Sequence, residues 1–324
     1  MTTSLLVTGA NGFVGKALCS AALEEGFLVK ALTRKPHDYP AGIENCICED
    51  LSNPLMLTPV LKGVDVVIHL AARVHVMKES LDDALGAYRA INVAATLALA
   101  KAAVAAGVKR FVYLSSIKVN GEETLTGKPF TADDQPAPID PYGVSKMEAE
   151  NALLELARIT GMEIVIIRPP LIYGPGVRAN FAAMMHWITR GFPLPLGSIK
   201  NQRSLVGIGN MINLILLCTI HLSAPNQIFL VSDDQDVSLP TLLRKMATAL
   251  NLPIRLVPLP TFLIKLGAGI LGKSNVAQRL CGSLQLDITK TKEVLGWSPP
   301  YTLDQGLSEV ANWYSKSYSK VKPS

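Results

Sequence analysis

The 324-residue sequence has no apolar run long enough to cross a bilayer: Met211 to Leu222 and Phe262 to Leu271 both fall short of the roughly 20 residues a spanning helix needs. Both are expected as buried helices, with peripheral membrane contact as the alternative. It also lacks a basic run or a basic stripe interleaved with aromatics. A net charge of +5 and a pI near 8.9 therefore imply a solvated basic surface or a small anionic ligand, and no nucleic-acid partner is expected. Cysteine is scarce, with five scattered residues, and Cys46 and Cys48 alternate along a strand-like stretch instead of at zinc spacing. They imply buried thiols in a reducing cytoplasm and no metal site. No charged start with an apolar signal core precedes Leu5, which again leads to a cytoplasmic expectation. There is no internal repeat. What remains is a chain with 49% hydrophobic residues, enough for a large core and one large plus one smaller domain.

The most informative stretch is Thr8-Gly9-Ala10-Asn11-Gly12-Phe13-Val14-Gly15, between the apolar run Leu5-Leu6-Val7 and a helical segment starting near Phe13. The short β-prone run suits a strand buried on both faces of a parallel sheet. Gly9 then permits a tight bend, Gly12 lets the backbone approach a pyrophosphate, and Gly15 lets the helix pack close to the strand. The helix N-terminus offers N–H groups and partial positive charge to phosphates. The stretch therefore reads as a dinucleotide cradle.

Further strands are expected at Phe27 to Leu32, Ile43 to Cys48, Val64 to Leu70, Arg110 to Leu114, Glu163 to Ile167 and Gln227 to Val231. The first helix should stop near Glu25, before Gly26, and one long Ala-rich helix should run from about Ala84 to Ala106. Asp140-Pro141 should open another helix, the Asp as cap and the Pro in the first turn. Strands alternating with helices imply βαβ crossovers and a doubly wound parallel α/β sheet. Ligands bind beyond the carboxyl ends of such strands. At those ends stand Asp50-Leu51, whose carboxylate can meet an adenine amino group, and Leu70-Ala71-Ala72, where small residues let a cofactor lie close. Ser115-Ser116 follows the fifth strand. From Tyr173 onward the pattern becomes irregular, as expected of a smaller substrate-covering domain over residues 171–320, after a nucleotide domain over 1–170 to which some later segments return.

Tyr142 and Lys146 lie at i and i+4, on one face of a helix. A phenol, with a reference pKa near ~10, is a poor base at neutral pH unless a cation stabilises its phenolate. Lys146 can supply that charge and also hydrogen-bond a ribose, while Ser116 can bond the oxygen that exchanges a proton with Tyr142.

The glycine turn, the serine after the fifth strand and Tyr-x-x-x-Lys together resemble the extended short-chain dehydrogenase/reductase family, in its nucleotide-sugar branch typified by UDP-galactose 4-epimerase. The resemblance spans nearly the whole chain and implies a Rossmann-type sheet with a smaller mixed α/β C-terminal domain. It places acid/base catalysis on Tyr142, its support on Lys146 and assistance on Ser116. It also sets Asn92 and Pro169 beside the cofactor, with Arg168-Pro169-Pro170 through Tyr173-Gly174-Pro175-Gly176 packing against the nicotinamide. Asn180-Phe181 matches the start of the sugar-nucleotide site, Arg203 the diphosphate-binding arginine, and Arg279 is a second candidate for that role. An arginine fork suits a diphosphate. His75 and Lys118 can face either substrate or solvent.

Two departures narrow the expectation. Dehydratases of the family carry Asp-Glu where this chain has Ile117-Lys118, so a 4,6-dehydratase is not expected. NAD-binding members end the second strand in an acidic residue that holds the ribose hydroxyls, whereas here stand Leu32-Thr33-Arg34-Lys35. Thr33 and Arg34 suit a 2′-phosphate, so NADP(H) is favoured, with NAD possible. The expected function is reduction of a UDP-linked 4-keto sugar, and the segments Ser115 to Gly121 and Gln278 to Ser283 resemble enzymes making UDP-N-acetyl-quinovosamine or N-acetyl-fucosamine for bacterial surface polysaccharide such as O-antigen. The alternative is a 4-epimerase with tightly bound NAD, and a remote alternative is a non-catalytic NADP(H) sensor. The resemblance also implies a homodimer through the helices after the fourth and fifth strands.

Overall fold

Strand β1 (Ser4–Thr8) is an interior strand of a seven-stranded sheet, and Leu5, Leu6 and Val7 have no exposed surface because helices cover both faces. The computed structural model describes residues 2–74, 81–125, 127–177, 180–270, 272 and 274–318, and of these leaves out the side chains of 81–83, 180, 274–276, 279 and 318. The next strands are β2 (Leu28–Thr33), β3 (Ile43–Ile47), β4 (Val66–His69), β5 (Arg110–Leu114) and β6 (Glu163–Arg168). A separate parallel pair is formed by β7 (Leu171–Tyr173) and β8 (Leu205–Gly207), and β9 (Gln227–Leu230) returns to the large sheet. Its order is β3-β2-β1-β4-β5-β6-β9 with every pairing parallel. The strand order reverses between β1 and β4, which makes this a Rossmann-type doubly wound sheet with its ligand crevice at that point.

The first helices are α1 (Phe13–Glu24), α2 (Pro54–Leu61), α3 (Leu81–Tyr88), α4 (Thr96–Ala105) and α5 (Pro141–Thr160). The later ones are α6 (Asn180–Arg190), α7 (Ile208–Ile220), α8 (Leu239–Ala249), α9 (Thr261–Ile270), α10 (Ser274–Cys281), α11 (Thr289–Leu295) and α12 (Leu303–Tyr318). On one face of the sheet the core includes Val14 and Leu18 of α1, Met211 and Ile215 of α7, and Trp297. On the other it includes Leu57 of α2, Leu99 of α4 and Leu153 of α5. A third core joins α6, α8 and α12 around Tyr173, which stacks on Phe181 at 5.3 Å.

Two expectations change. The stretch from Ala84 to Ala106 is not one regular helix, because a π-helical segment, Arg89–Ala95, separates α3 from α4. Buried Asn92 sits in that segment and bonds both Arg73 and Ser145, and π turns commonly occur at such functional insertions. The apolar run beginning at Phe262 is not a buried helix either: α9 has no buried residue, since only its Ile264 side reaches the third core. By contrast α7 is buried as expected. No described helix is long and apolar enough to cross a membrane.

Candidate active site

The chain leaves β1 through Gly9, whose φ of +65° lies in the left-handed region. A Cβ there would stand 2.9 Å from the backbone nitrogen of Ala71, and one on Gly15 would stand 2.3 Å from the Gly9 oxygen. Both glycines are thus required for the turn to fold back on α1. The Gly12 N–H donates to the Gly9 carbonyl at 2.8 Å, and Gly12 caps α1 with no side chain over the helix end. That end therefore presents backbone N–H groups and the positive pole of the dipole, the chemistry a pyrophosphate requires. Asn11 is exposed beside it, and Phe13 and Val14 anchor the first turn in the cores.

Thr8 fastens this turn to the end of β4. The Ala71 N–H donates to Thr8 Oγ1 at 3.2 Å, and Thr8 Oγ1 lies 2.7 Å from His69 Nδ1. His69 Nε2 is 2.9 Å from Thr96 Oγ1 on α4. Burial, followed by the Lys146 charge, pushes His69 down to about 3, so the ring is neutral with one donor and one acceptor. Thr8 already accepts from Ala71, so a Thr8 hydroxyl donating to Nδ1 and an Nε2–H donating to Thr96 satisfy the chain. Leu70, Ala71 and Ala72 stay half-buried at the mouth of the crevice.

The ends of β2 and β3 carry the residues expected to meet an adenosine. Thr33 is buried and its hydroxyl donates to the Lys35 carbonyl at 2.8 Å, while Arg34 is exposed. Asp50 is exposed and accepts from Ser52 N–H and Oγ at 2.8 and 2.6 Å, which holds its carboxyl below the usual range. Leu51 packs on the core under α2. Asn92 acts as a clamp: its Oδ1 accepts from Arg73 N–H at 2.8 Å, and its Nδ2 donates to Arg73 O at 3.2 Å and to Ser145 Oγ at 3.0 Å.

Helix α5 begins as its sequence dictates. Asp140 Oδ1 accepts from the Gly143 N–H at 2.7 Å and Pro141 occupies the first turn. Tyr142 is half-buried, with Tyr88 edge-on at 5.9 Å. Lys146 is buried, donates to the Leu114 carbonyl at 2.8 Å, and lies 4.5 Å from the Tyr113 ring centroid and 5.9 Å from that of Tyr142. Burial lowers Lys146 to about 7, with Glu150 opposing. The Tyr142 phenol is shifted toward its neutral form. Desolvation, then the Asp140 charge and Tyr88, push the phenol up. Ser116 caps the short 3-10 turn Ile117–Val119, its Oγ accepting from Lys118 N–H at 3.3 Å. Pro169 O accepts from Ile117 N–H at 3.0 Å, tying the end of β6 to that turn. A Cβ on Gly143 would stand 2.9 Å from the Lys118 carbonyl, so the Ser116 turn and the start of α5 are in contact.

Beneath this surface lies a polar cluster that the motifs did not announce. Arg168 donates to Glu150 through Nη2 at 2.6 Å and to Asn120 Oδ1 at 2.9 Å, and Ser115 Oγ donates to Glu150. Glu150 lies four residues beyond Lys146 on the same helix face, the one sequence signal that pointed to it. Tyr113 Oη is buried with no hydrogen-bond partner. Lys118 bonds Asp140 and also Glu122, the latter at 3.3 Å, so it faces α5's cap.

Arg203 stands where three segments meet, its backbone bridging Val237 and Leu284 and its Nη1 donating to Gly282 O at 3.0 Å. Gly282 immediately follows α10, which carries Arg279, so the two candidate arginines belong to adjoining segments. The side chains of Asn180 and Arg279, and the whole of His75, lie outside the described residues. Among the described residues no group of three or more His, Cys, Asp or Glu is placed to hold a metal.

Residues 5–231 match the model of the NAD dependent epimerase/dehydratase family. A Vibrio cholerae protein named UDP-glucose 4-epimerase is 46% identical over 322 residues, covering 99% of this chain and 98% of that one. Among solved structures, MoeE5 in complex with UDP-glucose and NAD superposes with a TM-score of 0.76 at 26% identity, covering 97% of this chain and 99% of that one. RMD from Pseudomonas aeruginosa complexed with NADPH gives 0.74 at 26% identity, covering 97% and 100%.

Proposed function

The chain belongs to the NAD dependent epimerase/dehydratase family, and we propose that it works at C4 of a UDP-linked sugar, as a UDP-glucose 4-epimerase. The observation that carries the chemistry is Tyr142 and Lys146 on one face of α5, with the Ser116 turn in contact with that helix's start. The epimerase reading draws on the 46% identity to the Vibrio cholerae protein across nearly both full lengths. It takes precedence over the reductase expected from the sequence.

The residues present fit a dinucleotide. The backbone approach at Gly9 and Gly15 and the uncapped start of α1 suit its pyrophosphate, and Lys146 suits its ribose. Bound NAD would supply a hydride acceptor and donor at C4 of the sugar. Tyr142 would take the proton of the C4 hydroxyl and later return it, and Ser116 would hydrogen-bond the same oxygen. Lys146, fixed by Leu114 O, would place positive charge beneath the phenol in its protonated form. Arg203 would meet the diphosphate, with Arg279 on α10, whose following Gly282 bonds Arg203, and Asn180 at the start of α6, and residues 171–320 would mainly cover the UDP-sugar. A cytoplasmic homodimer joined through α3, α4 and α5 completes the proposal.

A 4-ketoreductase is the second reading. It is supported by Thr33-Arg34-Lys35 at the end of β2, where a carboxylate would favour NAD, and by the likeness to the NADPH complex. Mass spectrometry of the nucleotide released on denaturing freshly purified protein separates the two. Near-stoichiometric NAD is expected for the epimerase and makes Arg34 a surface residue. An empty site or NADP(H) would overturn it in favour of the reductase.

A further inference from the structure

Helix α9 turns its apolar side to solvent. Phe262 is 66% exposed, Leu263 39%, Leu266 59% and Ile270 79%. With 3.6 residues per turn these four fall within an arc of about 100°, so they form one stripe. The helix is anchored from the other side, where Ile264 packs on the third core together with Leu280 and Cys281. Phe192 and Val257 are exposed as well, and Val257 stands four residues ahead of α9. Their segments pair: Val257 N–H donates to Leu194 O at 2.9 Å and Gly197 N–H to Val257 O at 3.0 Å. A contiguous exposed apolar patch of this kind marks an interaction surface, unlike single scattered residues.

Charge identifies the partner. From Ile164 to Leu286 the sequence holds eleven Lys and Arg against three acidic residues, Asp233, Asp234 and Asp236, and of the eleven Arg168 and Lys245 pair with Glu150 and Asp304 outside the stretch. The remainder, with 20 basic and 23 acidic residues, is slightly acidic, so the chain's positive charge is concentrated in this stretch. Its few carboxylates are already engaged. Asp233 accepts from Tyr173 and Asn210, Asp234 pairs with Lys292, and Asp236 accepts from Ser204 and Gln285. Exposed Arg190 and Arg255 stand two residues before Phe192 and Val257, and exposed Lys265 lies on α9 itself.

We propose that α9, with Phe192 and Val257, is a docking face for an anionic lipid bilayer. Its apolar side chains enter the boundary between headgroups and acyl chains while Arg190, Arg255 and Lys265 meet lipid phosphates. The ten-residue helix is ~15 Å long, about half of a ~30 Å hydrocarbon core, so it lies along the surface and does not cross it. A second copy of the same face would bring like charge against like, which opposes self-association there.

The test is co-sedimentation of the full chain with vesicles of phosphatidylcholine alone or with added phosphatidylglycerol. The wild type should bind the anionic vesicles roughly tenfold or more tightly than the neutral ones, and less as salt rises. Phe262→Ser with Leu266→Ser should abolish binding without lowering the melting temperature. Lys265→Glu, a single exposed change that carries the test if the double variant does not fold, should weaken binding to anionic vesicles alone. The proposal is overturned if the wild type does not sediment with either vesicle, or if neither variant changes binding. It is equally overturned if light scattering shows a dimer that Phe262→Ser with Leu266→Ser converts to monomer while vesicle binding is absent.

Discussion

Arg168 and Glu150 form a buried ion pair, Nη2 to Oε2 at 2.6 Å with both side chains 2% exposed, and so bind the end of β6 to the helix that carries Tyr142 and Lys146. Asn120 and Ser115 satisfy further positions on the pair. Arg168→Met leaves a carboxylate buried without its partner and should cost about 3–5 kcal/mol of unfolding free energy, read by urea denaturation. Glu150→Leu together with Arg168→Met should recover most of that loss, because replacing both charges by apolar groups is close to neutral. An equal loss in the double variant would show that the charge itself matters less than the packing.

Lys146 gives the protein a pH signature. Its folded value, about 7, lies below the ordinary 10.5 because burial disfavours the ammonium. Between those values the unfolded chain binds the proton that the folded one has shed, so stability from this group rises with pH across that window. Tyr142 acts in the opposite sense above about pH 10, where an unfolded phenol ionises and the folded one, held higher, does not. Melting temperatures of wild type and Lys146→Met, compared from pH 6 to pH 10, should therefore differ most at the acid end in favour of the variant, with the gap narrowing as pH rises. A constant gap would contradict the depressed lysine.

The Asp140 carboxylate is the second contributor to the raised Tyr142, after burial, and it also caps α5. Asparagine caps a helix as well as aspartate but carries no charge. Asp140→Asn should thus leave α5 intact and move the rising limb of the pH–rate profile to lower pH by ~1 unit. Lys118, which neutralises Asp140, should give the reverse shift when changed to Met. If Asp140→Asn leaves the limb where it is, the carboxylate does not reach the phenol.

How far the sequence led depended on whether a signal was local. Gly9 to Gly15, the Asp140 cap and the Tyr142/Lys146 pair each follow from neighbours a few residues apart, and the structure places them where that spacing implies. Strands Arg110–Leu114 and Gln227–Leu230 could be read from short apolar runs. The Arg168–Glu150 pair could not, since its residues stand 18 positions apart on two elements and it depends on how a strand end meets a helix flank. The π segment at Arg89–Ala95 was hidden for a different reason: an alanine-rich run has the same composition whichever helical hydrogen bonding it adopts. The exposure of α9 was hidden because an apolar run looks the same whether protein covers it or not.

In the proposed reaction Tyr142 exchanges the C4 proton while a retained dinucleotide carries the hydride, and the interconversion of UDP-glucose and UDP-galactose tests it most directly. Purified protein with no added cofactor should bring the two sugars to equilibrium. Tyr142→Phe should be slower by ~10²–10⁴-fold, with its bound dinucleotide unchanged. Failure of the wild type to interconvert the sugars unless NADPH and a 4-keto sugar are supplied, or a Tyr142→Phe variant of near-normal rate, would contradict it.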